Sequence, residues 1–266
     1  MNTKNVIEFY YNKLGFPESF NSEFYSILDK IEVDAHSTIE GYDADSENGQ
    51  KNLLYYLYFC DRLKEKYDEK GISHKILYDT LSDITRWAKV WSKLKGELYL
   101  GETGWLKRIL TMSLFRIGRL QFFMGKARYD IPEYGLSIGD DVLEIHIPPT
   151  EPLTKDLCLH SVYEARKFFA KYYPGYKYKC ITCNSWLLDR SLKEILGEDS
   201  NILQFQTVFD IIIDEKCDNI IKFVFNWDTT RDNLNDIICP KGFPERVKKR
   251  INDGGYFNTS LGIFKM

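Results

Sequence analysis

From Asn2 to about Gly96, apolar residues recur three and four positions apart. They do so in "NVIEFYYNKLGF", "SEFYSILDKI", "ENGQKNLLYYLYFCDRLKEKY" and "SHKILYDTLSDITRWAKVWSKL". This is the period of amphipathic helices with one buried stripe. In the third segment Leu53, Leu57, Cys60 and Leu63 form the stripe, and Lys64, Lys66 and Glu69 crowd its exposed end. A further helical stretch, "TGWLKRILTMSLF", is predicted with Thr103 as its N-cap and a stop before Gly118. The texture then changes. "RIGRLQFFMG", "VLEIHIP", "YKCITCNSWLL", "FDIIIDE" and "IIKFVFNW" are short β-branched or aromatic runs bounded by Gly, Pro or Asp, and read as strands. Between them "KDLCLHSVYEARKFFAKYY", capped by Thr154 and stopped by Pro174, reads as a helix, as do "RSLKEIL" and "SNILQFQTVF".

The second half therefore runs strand, strand, helix, strand, helix, strand, strand. The helix after "VLEIHIP" is long enough for a right-handed crossover between parallel neighbours. The fold class that follows is α+β, with a helical domain over residues 1–111 and a mixed β-sheet domain over 112–266 carrying helices on both faces. No repeat, low-complexity tract or long linker interrupts the chain, so the halves are expected to pack closely.

Composition narrows the function. The chain has 266 residues, 44% of them apolar, which suits a globular core. A net charge of -3 gives no global basic field for nucleic acid or anionic membrane, and "ERVKKR" (245–250) reads as a solvated helix face. The amino terminus has no apolar core of the signal-peptide type and no run reaches membrane-spanning length, so a cytoplasmic location is expected. The six cysteines are expected as free thiols. "CITC" (180–183) has zinc-pair spacing without a second pair, so no metal is expected.

Chemistry concentrates in "DVLEIHIPPTEPLTKDLC" (141–158). On a strand, Val142, Glu144 and His146 share one face, and Leu143, Ile145 and Ile147 the other. Glu144 and His146 are thus a candidate proton acceptor and its neighbour. The bland alternative is a face that meets solvent or the helical half. Cys183, Asn184 and Ser185 fall at the carboxyl end of a predicted central strand, the edge where α/β sheets place ligands. His160, on the next helix, is read as a surface residue. Arg116 and Arg119, on opposite faces of one predicted strand, are read as ion-pair partners across the domain interface.

Together, "LFRIGRLQFF", "LEIHIPPTEPLTKDLCLHSVYEARKFFAKYYP", "CNSWLLDRSLKEILGEDSNILQFQTVF" and "GGYFNTSLGIF" resemble a family of bacterial two-domain acyltransferases. In that family a helical amino-terminal domain precedes a GNAT-like carboxy-terminal domain. The resemblance covers nearly the whole chain and is most specific at "SWLLD" and "SNILQFQ". It implies N-acyl transfer from acyl-CoA, or from an acyl-pantetheine on an acyl carrier protein, to an amine acceptor. Glu144 is then the base, His146 its neighbour or substitute, and Ser185 a donor to the departing thiolate. In GNAT proteins a Gln/Arg-x-x-Gly-x-Gly/Ala turn holds the coenzyme pyrophosphate at a helix amino terminus. Here no glycine occurs between Pro148 and Pro174, and prolines 148, 149 and 152 remove amide donors. The amides of Lys155, Asp156 and Leu157 remain as anion-binding candidates, with Asn184 and Asn201 as further cofactor contacts. This implies a weakened coenzyme site or a carrier-borne arm. Two readings compete: a GNAT-derived module that binds a ligand or protein without catalysis, and a thiol enzyme using Cys183 with His146 as base.

Overall fold

The computed structural model describes residues 2–149 and 151–265 and separates into two compact units, Met1–Ile117 and Gly118–Met266. The first unit contains α1 (Thr3–Lys13), α2 (Asn21–Lys30), α3 (Gly49–Lys70), α4 (His74–Lys95), α5 (Thr103–Leu110) and the strand β1 (Leu114–Ile117). Its helices start where short polar side chains meet free amides. Asn2, Asn48 and Ser73 accept from the N–H three residues on, at the heads of α1, α3 and α4. The α3 stripe of Leu53, Leu57, Cys60 and Leu63 is completely buried. Thr103 is the first residue of α5 rather than its cap. Glu102 holds that place in a left-handed conformation, φ 52°, without a side-chain bond.

The second unit contains β2 (Leu120–Lys126), β3 (Asp141–His146), α6 (Lys155–Tyr172), β4 (Ile181–Ser185), α7 (Asn201–Gln206), β5 (Phe209–Lys216), α8 (Asn219–Val224), α9 (Phe243–Asn252) and β6 (Asn258–Phe264). Its strand order is β2-β3-β4-β6-β5. Only β3 and β4, joined through α6, run parallel; the other pairs are antiparallel. Thr154 caps α6 as expected, its hydroxyl accepting the Leu157 N–H at 3.4 Å. Ser200 caps α7 by accepting the Ile202 N–H at 3.3 Å.

Three expectations are corrected. "RIGRLQFFMG" is not one strand: Gly118, at φ +65°, turns the chain between β1 and β2. "IIKFVFNW" is not a strand but contributes most of α8. Ile220 and Ile221 are buried on one side of this short helix while Lys222 and Phe223 are exposed. The last strand is instead β6, whose polar start and Gly262 hide its alternation.

Arg119 likewise differs from expectation. Only 4% exposed, it donates from Nη1 to the Pro148 carbonyl at 2.7 Å and from Nε to the Pro152 carbonyl at 3.1 Å. It therefore fixes the proline-rich turn within its own unit. Replacing Arg119 with Met keeps the aliphatic stem but removes both donors from buried carbonyls, for an expected loss of about 2–4 kcal/mol. Thermal unfolding of Arg119→Met should fall by roughly 5–15 °C. An unchanged melting temperature would mean that the turn holds its shape without the guanidinium.

Candidate functional site

Register decides which side chains meet. Phe123 pairs with Glu144 and Gly125 with Val142 across β2 and β3, and Glu144 pairs with Thr182 across β3 and β4. Gly125, Val142, Glu144, Thr182, Asn184 and Leu261 therefore lie on one face. This face does not look at solvent. Residues 127–140, between β2 and β3, cross it and reach β5, where the Tyr129 hydroxyl donates to Glu215 at 2.5 Å and the Tyr134 hydroxyl to Asp210 at 2.8 Å. Beneath this strap Ala127, Ile131, Leu136, Val142 and Ile263 form a small apolar cluster. A small recess of about 20 Å³, room for about one water molecule, remains between strap and sheet, and Glu144 stands in its wall.

Glu144 is 8% exposed. Its Oε2 lies 3.4 Å from Arg128 Nη2 and 3.8 Å from His146 Nε2. A buried carboxylate is retained only where charge and hydrogen-bond partners compensate its lost hydration. Arg128, on the strap and more than half exposed, supplies the charge. The carboxylate lies flat over β2 because residue 125 is glycine: a Cβ there would collide with Glu144 Oε1, Cδ and Cγ. The Tyr176 hydroxyl, bonded to the carbonyls of Gly125 at 3.0 Å and Val142 at 2.6 Å, pins this part of the hairpin. His146 meets the Phe123 ring edge-on at 6.4 Å.

The structure brings together Glu144, His146 and Asn184 and separates the other candidates. Cys183 and Ser185 fall on the opposite face by the same alternation. Cys183 is fully buried, and burial, reinforced by Glu144 and Cys158, pushes its thiol well above the ordinary range. Ser185 caps the short turn Trp186–Leu188, its Oγ accepting the Leu187 N–H at 3.2 Å. Lys155, Asp156 and Leu157 are exposed on the first turn of α6. Asn201 is exposed at the start of α7, and His160 is exposed on α6. Among the described residues no group of three or more His, Cys, Asp or Glu is placed to hold a metal, and no helix is long and apolar enough to cross a membrane.

Sequence reasoning passed over Gly125 and Arg128. The glycine left a signal, since a glycine inside a strand marks a close approach from outside it. Arg128 left none, because its position depends on how the strap crosses the sheet. One further opening matters. The β3–β4 ladder closes at Ile145 and Cys183, although β3 runs on to His146 and β4 to Ser185. The β3–β4 pairing thus stops one position short of His146 and Asn184.

Comparison with known proteins agrees with this architecture. Residues 15–112 match the N-acyltransferase N-terminal domain, and residues 114–264 match the GNAT-like C-terminal domain. Comparison with curated proteins gives no match. Among solved structures, an acyltransferase in complex with decanoyl-CoA has a TM-score of 0.73 at 24% identity, covering 89% of this chain and 72% of that one. An acyltransferase in complex with CoA and 10C-teicoplanin has a TM-score of 0.77 at 20% identity, with coverages of 96% and 86%. A mutant acyltransferase in complex with octanoyl-CoA gives the same TM-score, 0.77, at 20% identity, again covering 96% and 86%. At these identities the likeness establishes the fold. Because the match at 114–264 spans more than half of its length, the chain belongs to the family of the GNAT-like C-terminal domain.

Proposed function

We propose that the protein transfers an acyl group from a coenzyme A thioester to an amine, with Glu144 as the base that takes the amine's proton. The observation that carries this reading is the buried carboxylate of Glu144, held between Arg128 and His146 in the recess of a GNAT-like sheet. The related folds, solved with octanoyl-CoA, decanoyl-CoA and 10C-teicoplanin, support a thioester donor and a separate acceptor.

The chemistry needs few groups. An amine arrives mainly as an ammonium and must lose a proton before its lone pair attacks the thioester carbonyl; Glu144, directly or through one water, accepts that proton. The C–N bond forms as the carbonyl becomes an oxyanion. Collapse expels the thiolate, and the second amine proton balances the charge of the leaving sulfur. His146, 3.8 Å from the carboxylate and more exposed than it, is placed to pass the first proton outward. The pantetheine arm is a linear amide that needs backbone partners, and the unpaired ends of β3 and β4 offer them next to Asn184.

The coenzyme's phosphates find fewer donors. Arg119 draws the Pro148 and Pro152 carbonyls inward, and since Thr154 takes the Leu157 N–H, the amides of Lys155 and Asp156 on the first α6 turn are the candidates for an anion. This favours a weakly held nucleotide end, and it keeps delivery of the acyl-pantetheine by a carrier protein as the finer alternative. Free CoA should accordingly raise the melting temperature only slightly at micromolar concentration; a large shift would show a full phosphate cradle.

Glu144→Gln should preserve the strand and lower single-turnover acyl transfer by about 10²- to 10⁴-fold, with thioester binding nearly unchanged. Gly125→Ala should displace the carboxylate without removing it and cost about 10- to 100-fold, because misplacement by about 1 Å can cost that much. Full activity in both variants would remove Glu144 from the mechanism. The thiol route predicts the reverse for Cys183. Because burial holds that thiol protonated, the native protein should resist iodoacetamide there at pH 7–9, whereas denatured protein should react fully. Peptide mapping after brief alkylation reads both states, and rapid native labelling of Cys183 would restore the thiol enzyme.

A further inference from the structure

One same-face step beyond Glu144 along the strands stands a row of polar side chains. Gln121 on β2 pairs with His146 on β3, as Phe123 pairs with Glu144. On β4 the corresponding position is Asn184, the next residue on that face after Thr182. Gln121, His146 and Asn184 therefore share the face of Glu144, at the end of β3 where its pairing with β4 stops.

Gln121 is the enclosed member of the row. It is 2% exposed, and among the described residues its Nε2 has no hydrogen-bond partner. A buried amide donor without an acceptor destabilises the fold, and native proteins keep few of them. Trp91 Nε1, Ser191 Oγ and Thr229 Oγ1 are in the same condition, but they belong to α4, the turn Arg190–Glu194 and the loop after α8. Gln121 differs in standing beside the proposed base. Same-face neighbours on a strand are about 7 Å apart, so the Gln121 backbone lies about that far from Phe123, the partner of Glu144. A base takes a proton from a nitrogen about 3 Å away, and an oxyanion donor sits about 3 Å from its oxygen. One tetrahedral carbon, bearing both that nitrogen and that oxygen, fits between two groups so spaced.

We propose that Gln121 is a further catalytic residue, whose Nε2–H binds the thioester carbonyl oxygen and holds the oxyanion formed when the amine attacks. The proposal rests on the acyl-transfer reading above and deepens it. As the C–N bond forms, the carbonyl π pair moves onto oxygen, where it meets the amide N–H. As the pair returns, the C–S bond breaks and the thiolate leaves. Gln121 gives up no proton in either step; the amine's proton goes to Glu144 on the same face. A donor with no competing bond suits this task, because it is in place before the charge appears and nothing has to be broken to use it.

Gln121→Met removes the donor while keeping the reach of the side chain. Single-turnover transfer from octanoyl-CoA to a primary amine should fall by about 10²- to 10³-fold, with donor Kd changing far less. The melting temperature should hold or rise by up to about 5 °C, since an apolar group replaces a buried unpartnered amide. A purely structural residue would show the reverse, lost stability with a retained rate. Gln121→Asn keeps the amide but withdraws it by about 1.5 Å. It should cost about 10- to 100-fold and carries the test if Gln121→Met does not fold. Thr229→Val deletes another unpartnered hydroxyl outside this face and should leave the rate unchanged. Isotope-edited infrared spectra of bound carbonyl-labelled octanoyl-CoA need no acceptor; the thioester band should move to higher frequency in Gln121→Met than in wild type. Wild-type rates in both Gln121 variants, or a band that Gln121→Met does not move, overturn the proposal while leaving acyl transfer intact. Wild type that binds neither octanoyl-CoA nor acetyl-CoA defeats the acyl-CoA reading and this proposal together.

Discussion

A carboxylate lying over a glycine organises the second unit. Glu144 occupies space that any side chain at position 125 would fill, and it does so at 8% exposure. Burying that charge demands partners; Arg128 comes from the strap, and His146 from β3 itself. Arg128 reaches the carboxylate only because residues 127–140 turn back across the strands, held at β5 by Tyr129 and Tyr134. Strap, register and glycine thus depend on one another. A slip of one residue in the β2–β3 pairing would carry Glu144 to the face of Leu143 and Ile145, away from Arg128 and the strap.

The opposite face serves architecture. There Asp189, 1% exposed, accepts the N–H of Asn258 at 2.7 Å and of Ser191 at 2.8 Å. Gln206 donates to the carbonyls of Leu187 and Asp189 at 2.9 and 3.0 Å. "SWLLD" and "SNILQFQ", the stretches that carry the resemblance most specifically, are therefore largely a device for ending β4, turning the chain and tying it to β6. Their polar residues satisfy buried backbone groups, which constrains identity as tightly as catalysis does. These stretches lie apart from the recess, which Asn184 lines while Cys183 and Ser185 face the other way.

What the sequence revealed follows from this division. Helical stripes were legible because a buried face repeats every three or four residues, as Leu53, Leu57, Cys60 and Leu63 do. Glu144 and His146 were legible as a pair because strand alternation is local. The expectation of one oily and one titratable face was only half realised, since Val142 and Glu144 are as enclosed as Leu143 and Ile145 once the strap is laid down. Short segments failed where local pattern is ambiguous: α8 has β-branched residues but buries adjacent positions, and β6 interrupts its alternation with Gly262. Arg119 reads from sequence as an ion-pair partner across the domain interface and is instead a buried clamp, because its carbonyl partners lie about thirty residues away.

That clamp has a consequence for how a thioester can be held. A phosphate cradle built from glycine-turn amides points N–H groups outward; here prolines delete several of them and Arg119 pulls two carbonyls inward. The turn is thereby stiffened by the very features that weaken it as an anion site. On the proposed acyl-transfer reading, such a turn offers the charged end of a donor few backbone amides.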